Sequence, residues 1–224
     1  MKKSEFYNLL ESIEVFSSPK LELEQYPTDA VTAADLLYSI HFEMVDSLSD
    51  RIILDLGAGT GRLSLGSLIL GASHVFAVEI DSDAIEILKK NAQALTFEDN
   101  LTIIQQNIED IDAVQRIQER IQQQLHTDSY TKTDIMCIMN PPFGFVKKGI
   151  DIRFLEVALS LASIVYSIHA AGDKNRSYIR KKVEKFGGSV THIFPQKLIL
   201  RSQFEFHKQK RMPTLVDIYR IESV

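Results

Sequence analysis

Residues 140–143 read Asn-Pro-Pro-Phe, directly after the apolar run "DIMCIM". Neither proline has an N–H to give to a sheet ladder, so a buried strand has to stop here. Pro141 and Pro142 free the backbone carbonyls from any ladder and fix their direction. Asn140 then offers a side-chain carbonyl and Pro141 a main-chain one. Two acceptors aimed at one place suit a group with two N–H donors, either an exocyclic amine on a planar ring or an amide. The lone pair of such a nitrogen is delocalised, which makes it a poor nucleophile. Holding both hydrogens pulls the nitrogen toward tetrahedral geometry and aims the lone pair at an electrophilic carbon. That is catalysis by positioning and electrostatics, with no covalent intermediate. Phe143 can stack on the ring, a contact worth roughly 1–3 kcal/mol. The same four residues also suit a plain Pro-Pro turn packed by a Phe, so their surroundings decide.

Three further segments carry chemistry at the ends of β-rich runs. "RIILDL" (51–56) leads into glycines at 57, 59 and 61. A dinucleotide fingerprint asks for glycine at 62, where Arg62 stands, and the Gly-Lys-Ser/Thr of a P-loop is absent. Gly57, Gly59 and Gly61 instead offer backbone without Cβ, against which a ligand can lie flat. Asp55 can hold the turn or accept from a ligand ammonium. "HVFAVEI" places Glu79 at the tip of the next run, where a carboxylate can accept two hydrogen bonds from ribose hydroxyls. "LTIIQQNI" places Asn107 to read an adenine edge and Ile108 to cover its face. Singly, a glycine turn is often only tight packing, and Asp81 reads as a helix cap. Together, the three ends point to a nucleoside cofactor without a phosphate site. S-adenosylmethionine (SAM) fits that description, with S-adenosylhomocysteine as its product.

The elements that position these ends alternate. Helices are predicted over 3–16 and 29–47, the second capped by Thr28 and Asp29. Strands and helices then alternate from 51 to 186, including a long helix over 153–169. Two late strands, "SVTHIFPQKLIL" and "TLVDIYRIES", follow with only a loop between them. This pattern predicts an α/β, Rossmann-like fold. Its sheet is mostly parallel, with an antiparallel C-terminal edge and helices on both faces. The expected organisation is one domain over 1–224, with 1–48 a helical cofactor lid and 49–224 the core.

The net charge is −5, but residues 171–224 hold twelve Lys/Arg against five Asp/Glu. A basic C-terminal quarter on an acidic body suits an anionic partner, and equally a solvated face. The single cysteine, Cys137, lies among Ile and Met and reads as core. One cysteine cannot form an intrachain disulfide, which implies a reducing, cytoplasmic location. No apolar run is long enough to span a membrane. No His, Cys or acidic cluster has zinc-like spacing, so no metal is expected.

"LEQYPT" (23–28), "DLGAGTGRLS" (55–64), "NPPFG" (140–144), "FLEVAL" (154–159), "VYSIH" (165–169) and "FHKQK" (206–210) together resemble the methyltransferase-like protein 5 family. These are class I SAM-dependent methyltransferases that make N(6)-methyladenosine in small-subunit ribosomal RNA, so the resemblance implies the class I SAM methyltransferase type of Rossmann-like fold. The resemblance implies that Gln25 and Thr28 touch the methionine end of SAM. It also implies that Gly57, Gly59 and Gly61 line the cofactor, Glu79 binds the ribose, and Asn107 and Ile108 flank the adenine. Asn140, Pro141 and Phe143 would then hold the target base, with Tyr26, Phe145, Lys147 and Lys148 near it. His207, Lys208, Lys210 and Arg211 would meet RNA phosphates. Family members pair with a small zinc-binding Trm112-type activator. Asn107 departs from the family's usual Asp, and Phe145 from its usual Thr.

Competing expectations are methylation of a protein glutamine amide, methylation of guanine's amino group, and a non-catalytic RNA-binding scaffold on the same fold. Phe143, rather than the Tyr associated with glutamine targets, favours a base. Two histidines receive plainer readings. His169 is expected to close the 153–169 helix as a dipole partner, and His207 to contact RNA. Tyr26 is expected either to stack on substrate or to pack the N-terminal segment.

Overall fold

The computed structural model describes residues 1–125, 131–201 and 211–223. The N-terminal helices are α1 (Lys3–Ser12) and α2 (Ala30–Phe42). The alternating part follows as β1 (Ile52–Leu56), α3 (Arg62–Ile69), β2 (His74–Glu79), α4 (Ser82–Ala94), β3 (Leu101–Gln105), α5 (Ala113–Leu125) and β4 (Ile135–Met139). The chain continues through α6 (Ile150–Leu161), β5 (Ile164–Ala170), α7 (Asp173–Lys185), β6 (Gly188–Arg201) and β7 (Arg211–Ser223). The strands form one sheet in the order β3-β2-β1-β4-β5-β7-β6. β1 to β5 pair in parallel, and β7 pairs antiparallel with both β5 and β6. The expected antiparallel edge is therefore present, with β7 inside and β6 outermost. Pro195 sits in this outermost strand, where its missing donor is tolerated.

Successive side chains of each inner strand enter different layers, as the two-residue period of a strand demands. Ile53, Val75, Met136 and Ile138 meet Phe6, Leu10, Leu37, Leu65 and Leu88 on the face covered by α1 to α4. Leu54, Phe76, Cys137 and Met139 meet Ile117, Leu155, Ile179 and Val183 on the face covered by α5 to α7. Every residue of β4 is buried. At roughly 1.5–3 kcal/mol per fully buried aliphatic side chain, β4 is firmly anchored, which matters for a site that depends on where its end points. Burial pushes the Cys137 thiol well above its usual range, as a core cysteine requires.

One predicted element is overturned. The helix over 153–169 does not run through: α6 stops at Leu161, and the chain returns as β5. The turn is fixed by the Ser163 N–H, which donates to the carbonyls of Lys132 and Ile135. Ile164, Val165 and Ile168 are β-branched and favour the strand. No glycine or proline stands between Leu161 and Ile164, so the sequence carries no breaker where helix gives way to strand. His169 consequently closes no helix. It is a buried residue of β5, with Nε2 2.8 Å from Ser167 Oγ and its ring edge-on to Tyr219. Other ends also shift: α1 stops at Ser12, leaving Phe16 outside it, and α2 starts at Ala30 behind the cap Asp29.

Candidate active site

Strand order reverses between β1 and β4, and a crevice opens beyond their carboxyl ends, where ligands of such sheets bind. The turn after β1 and the Asn-Pro-Pro-Phe segment after β4 therefore face each other. They border a cleft of roughly 1120 Å³, its open mouth included.

The turn after β1 needs its glycines. Gly57, Gly59 and Gly61 have φ of +73°, +55° and +93°. A Cβ on Gly57 would lie 3.1 Å from Phe154, and one on Gly61 2.1 Å from Leu88. Gly57 and Gly59 line the cleft, while Gly61 closes the turn behind them. Asp55 accepts from the Ser64 hydroxyl at 2.6 Å through Oδ2, and its buried Oδ1 has no partner. Burial pushes its carboxyl up to about 7, against the opposing hydrogen bond from Ser64.

At the end of β2 the Glu79 carboxylate is almost fully engaged by backbone. Oε2 accepts from Gly59 N–H, and Oε1 from Ile80 and Asp81 N–H. Burial raises its pKa despite these bonds. Oε2 retains a lone pair for one hydroxyl. Next to it, Asp81 receives Gln25 Nε2 at 2.6 Å and the Lys20 ammonium. Burial opposes ionisation of Asp81, but Lys20 and Gln25 hold its pKa below the usual range. Gln25 is thus engaged at the β2 end of the cleft. Beyond β3, Asn107 Oδ1 accepts from Glu109 N–H in a tight turn, and Ile108 is buried against the cleft.

At the end of β4, Asn140 Nδ2 donates to Thr28 Oγ1 at 3.0 Å, and Asn140 Oδ1 is buried without a partner. The Tyr26 hydroxyl accepts from Phe143 N–H at 3.2 Å, and the two rings lie 5.2 Å apart. Tyr26 thus packs against the turn after β4 rather than only within the N-terminal segment. Gln25, Tyr26 and Thr28 line the cleft from the N-terminal segment; Asn140, Pro142 and Lys147 line it from the β4 end. Lys147 pairs with Glu109 across this end. Pro141 is buried beside the cleft, and Phe143 packs on Tyr26 and the core. Phe145 and Lys148 are exposed on the loop that follows. His207, Lys208 and Lys210 lie outside the described residues, and Arg211 opens β7.

Two residues without a predicted role hold this arrangement together. Arg62 is buried, and its guanidinium donates to the carbonyls of Leu10, Ile13 and Thr28. It ties the N-terminal segment to α3. The only sequence signal was its place where a dinucleotide loop has glycine. Glu24 accepts from the N–H groups of Gly144 and Val146. It lies within "LEQYPT", but nothing local in that stretch tells which amides it meets.

The donor set fits SAM. Asp55 presents an unused oxygen suited to an ammonium, Glu79 a lone pair suited to a ribose hydroxyl, and the glycine turn a surface free of side chains. Fold and cleft together define a class I SAM-dependent methyltransferase. The chain is 33% identical to the rRNA N(6)-adenosine-methyltransferase METTL5 of Danio rerio over 222 residues, covering 98% of each. It is 34% identical to the Drosophila melanogaster Mettl5 over 224 residues, covering 99% of this chain and 96% of that one. The chain belongs to the METTL5 family. The crystal structure of PH1948 from Pyrococcus horikoshii, described there as a candidate RNA methyltransferase, superposes with a TM-score of 0.82. It is 32% identical, with 100% of this chain and 98% of that chain covered. A family model described as Ribosomal protein L11 methyltransferase (PrmA) matches residues 38–126, the stretch that holds the ends of β1, β2 and β3.

Proposed function

We propose that the protein methylates the exocyclic N(6) amino group of an adenosine in small-subunit ribosomal RNA. The observation that carries this reading is the partnerless Asn140 Oδ1, buried at the end of β4 across the cleft from the glycine turn. A buried acceptor without a donor is costly, on the order of 1–3 kcal/mol, unless a ligand satisfies it. Bound SAM supplies an electrophilic methyl group. Asp55 holds the ligand ammonium, Glu79 a ribose hydroxyl, and Ile108 covers the adenine. Asn140 accepts an N–H of the target amine and turns its lone pair into the cleft. Phe143 supports the base from the side of Tyr26. The amine's proton can leave after transfer, so no general base is needed.

The names of the relatives support ribosomal RNA as the substrate, and Lys208, Lys210 and Arg211 suit its phosphates. A Trm112-type activator and a cytoplasmic location belong to the same reading. The described residues contain no helix long and apolar enough to cross a membrane. The experiment is incubation with labelled SAM and small ribosomal subunits, followed by nucleoside analysis. Label recovered as N(6)-methyladenosine supports the reading; label in protein, or in methylguanosine, overturns it.

A further inference from the structure

The loop that follows the Asn-Pro-Pro-Phe turn has little of its own to hold it. Gly144 has φ +79°, and Phe145 and Val146 are 73% and 53% exposed. No ladder pairs this stretch, so its shape is set by the acceptors its amides find. Those acceptors come from the N-terminal segment. Glu24 Oε2 accepts from Gly144 N–H at 3.1 Å, Glu24 Oε1 accepts from Val146 N–H at 2.8 Å, and the Tyr26 hydroxyl accepts from Phe143 N–H. Between them, Gln25 reaches the opposite way, to Asp81 at the cofactor end of the cleft.

Glu24 is itself held in an unusual state. Its backbone is left-handed, with φ 49° and ψ 40°, and the residue is only 9% exposed. A glutamate persists in that region where its surroundings over-determine it, and such positions gather at ligand clamps. A carboxylate receiving two amides is a strong, charge-assisted arrangement.

The geometry points to Glu24 as a positioning residue for the methyl-acceptor base. By holding the amides of Gly144 and Val146 it sets the loop that carries Phe143 and Phe145 against the end of β4. This rests on the reading that a flat amine binds there.

The test compares the wild type with Glu24→Gln and Glu24→Asp. Gln keeps the shape but turns an NH₂ toward one of the two amides. Asp keeps the charge on a shorter arm. With SAM and small ribosomal subunits, Glu24→Gln lowers kcat/KM for RNA by about 10- to 100-fold, since small misplacements carry such losses. Glu24→Asp restores part of it. The SAM dissociation constant, read by calorimetry, stays within about threefold of wild type. Hydrogen exchange at Gly144 and Val146 accelerates in Glu24→Gln, while the amides of Gly57 and Ala58 are unchanged. An unaltered kcat/KM overturns the role. So does a loss of SAM affinity that parallels the loss of activity, since that is a general structural effect. An inactive wild type instead sinks the adenosine reading on which the role rests.

Discussion

Thr28 and Asn140, 112 residues apart, are joined by one hydrogen bond that decides which end of the buried amide is left without a partner. Thr28 Oγ1 takes the Asn140 nitrogen as a donor, which leaves Oδ1 as the acceptor without a partner. An amide's orientation follows from its bonding network, and here the network has one anchor. Asn140→Ala should lower kcat by about 10²–10³, the usual loss when one preorganised partner is removed. SAM affinity should stay within a few-fold. Turnover near that of the wild type would show that Asn140 is not the acceptor. Thr28→Val keeps the shape and removes the anchor; a loss of about tenfold in kcat, or roughly 1.4 kcal/mol, is expected from the freed amide.

SAM binding should depend on pH through Asp55. Burial places its carboxyl at about 7, well above the ordinary aspartate value. A raised folded pKa means the folded state binds the proton more tightly than the unfolded one. The associated stability is full below the unfolded pKa near 3.9 and is lost as pH rises through about 7. The ligand ammonium, by contrast, prefers the carboxylate. SAM affinity should therefore rise as pH passes through about 7, whereas the ligand-free protein loses stability from about pH 4 up to about pH 7. Asp55→Asn should flatten both profiles, measured by calorimetry and by denaturant melts. A pH-independent affinity in the wild type would remove Asp55 from the ammonium site.

Gly61 is the least replaceable glycine of the turn. It caps α3 at φ +93°, and a Cβ there would overlap Leu88 at 2.1 Å. Gly61→Ala combines left-handed strain with overpacking, and should cost roughly 2–4 kcal/mol by chemical denaturation. Gly61→Ala with Leu88→Ala removes the clash and keeps the strain. If the double variant is no more stable than the sum of the singles predicts, the clash is not the cause.

The basic C-terminal residues make a separate prediction. Replacing Lys208, Lys210 and Arg211 with alanine should weaken RNA binding uniformly across sequences. It should also reduce the slope of log K against log salt by about one for each phosphate no longer neutralised. An unchanged slope would assign these residues to a solvated face.

The glycine turn, Glu79 and the Asn-Pro-Pro-Phe segment were legible because each is a short local pattern at a strand end. Local sequence also gave the strand-helix alternation that carries them. β5 was misread because "IVYSIHA" follows the apolar pattern of α6 with no glycine or proline between them, so no breaker marks where helix gives way to strand. His169 was misplaced as a consequence. The contacts of Glu24 and Arg62 were hidden for another reason. Their partners lie 120 or 122 residues away for Glu24 and 34 to 52 for Arg62, and no local rhythm reports a contact of that separation. What hid from the sequence is the clamp between the N-terminal segment and the site, which exists only in three dimensions.

The same limit applies to a buried ion pair that fixes the chain entering β1. Arg220 on β7 donates to Asp46 through Nε and Nη2, and Tyr166 on β5 donates to Asp46 Oδ2 at 2.7 Å. Burial alone would raise the Asp46 pKa, but Arg220 and Tyr166 hold it below the ordinary value. A depressed aspartate contributes stability that is present above its unfolded pKa and lost as pH falls through the folded one. Arg220→Met leaves Asp46 charged and buried, with the Tyr166 hydroxyl still donating but the paired charge gone, which should cost roughly 3–5 kcal/mol. Pairing Arg220→Met with Asp46→Asn removes both charges and should recover much of that loss. The acid limb of the stability curve should be shallower in the double variant than in the wild type, because Asp46 no longer takes up a proton on unfolding. Equal stability of the single and double variants would show that the ion pair contributes packing rather than charge compensation.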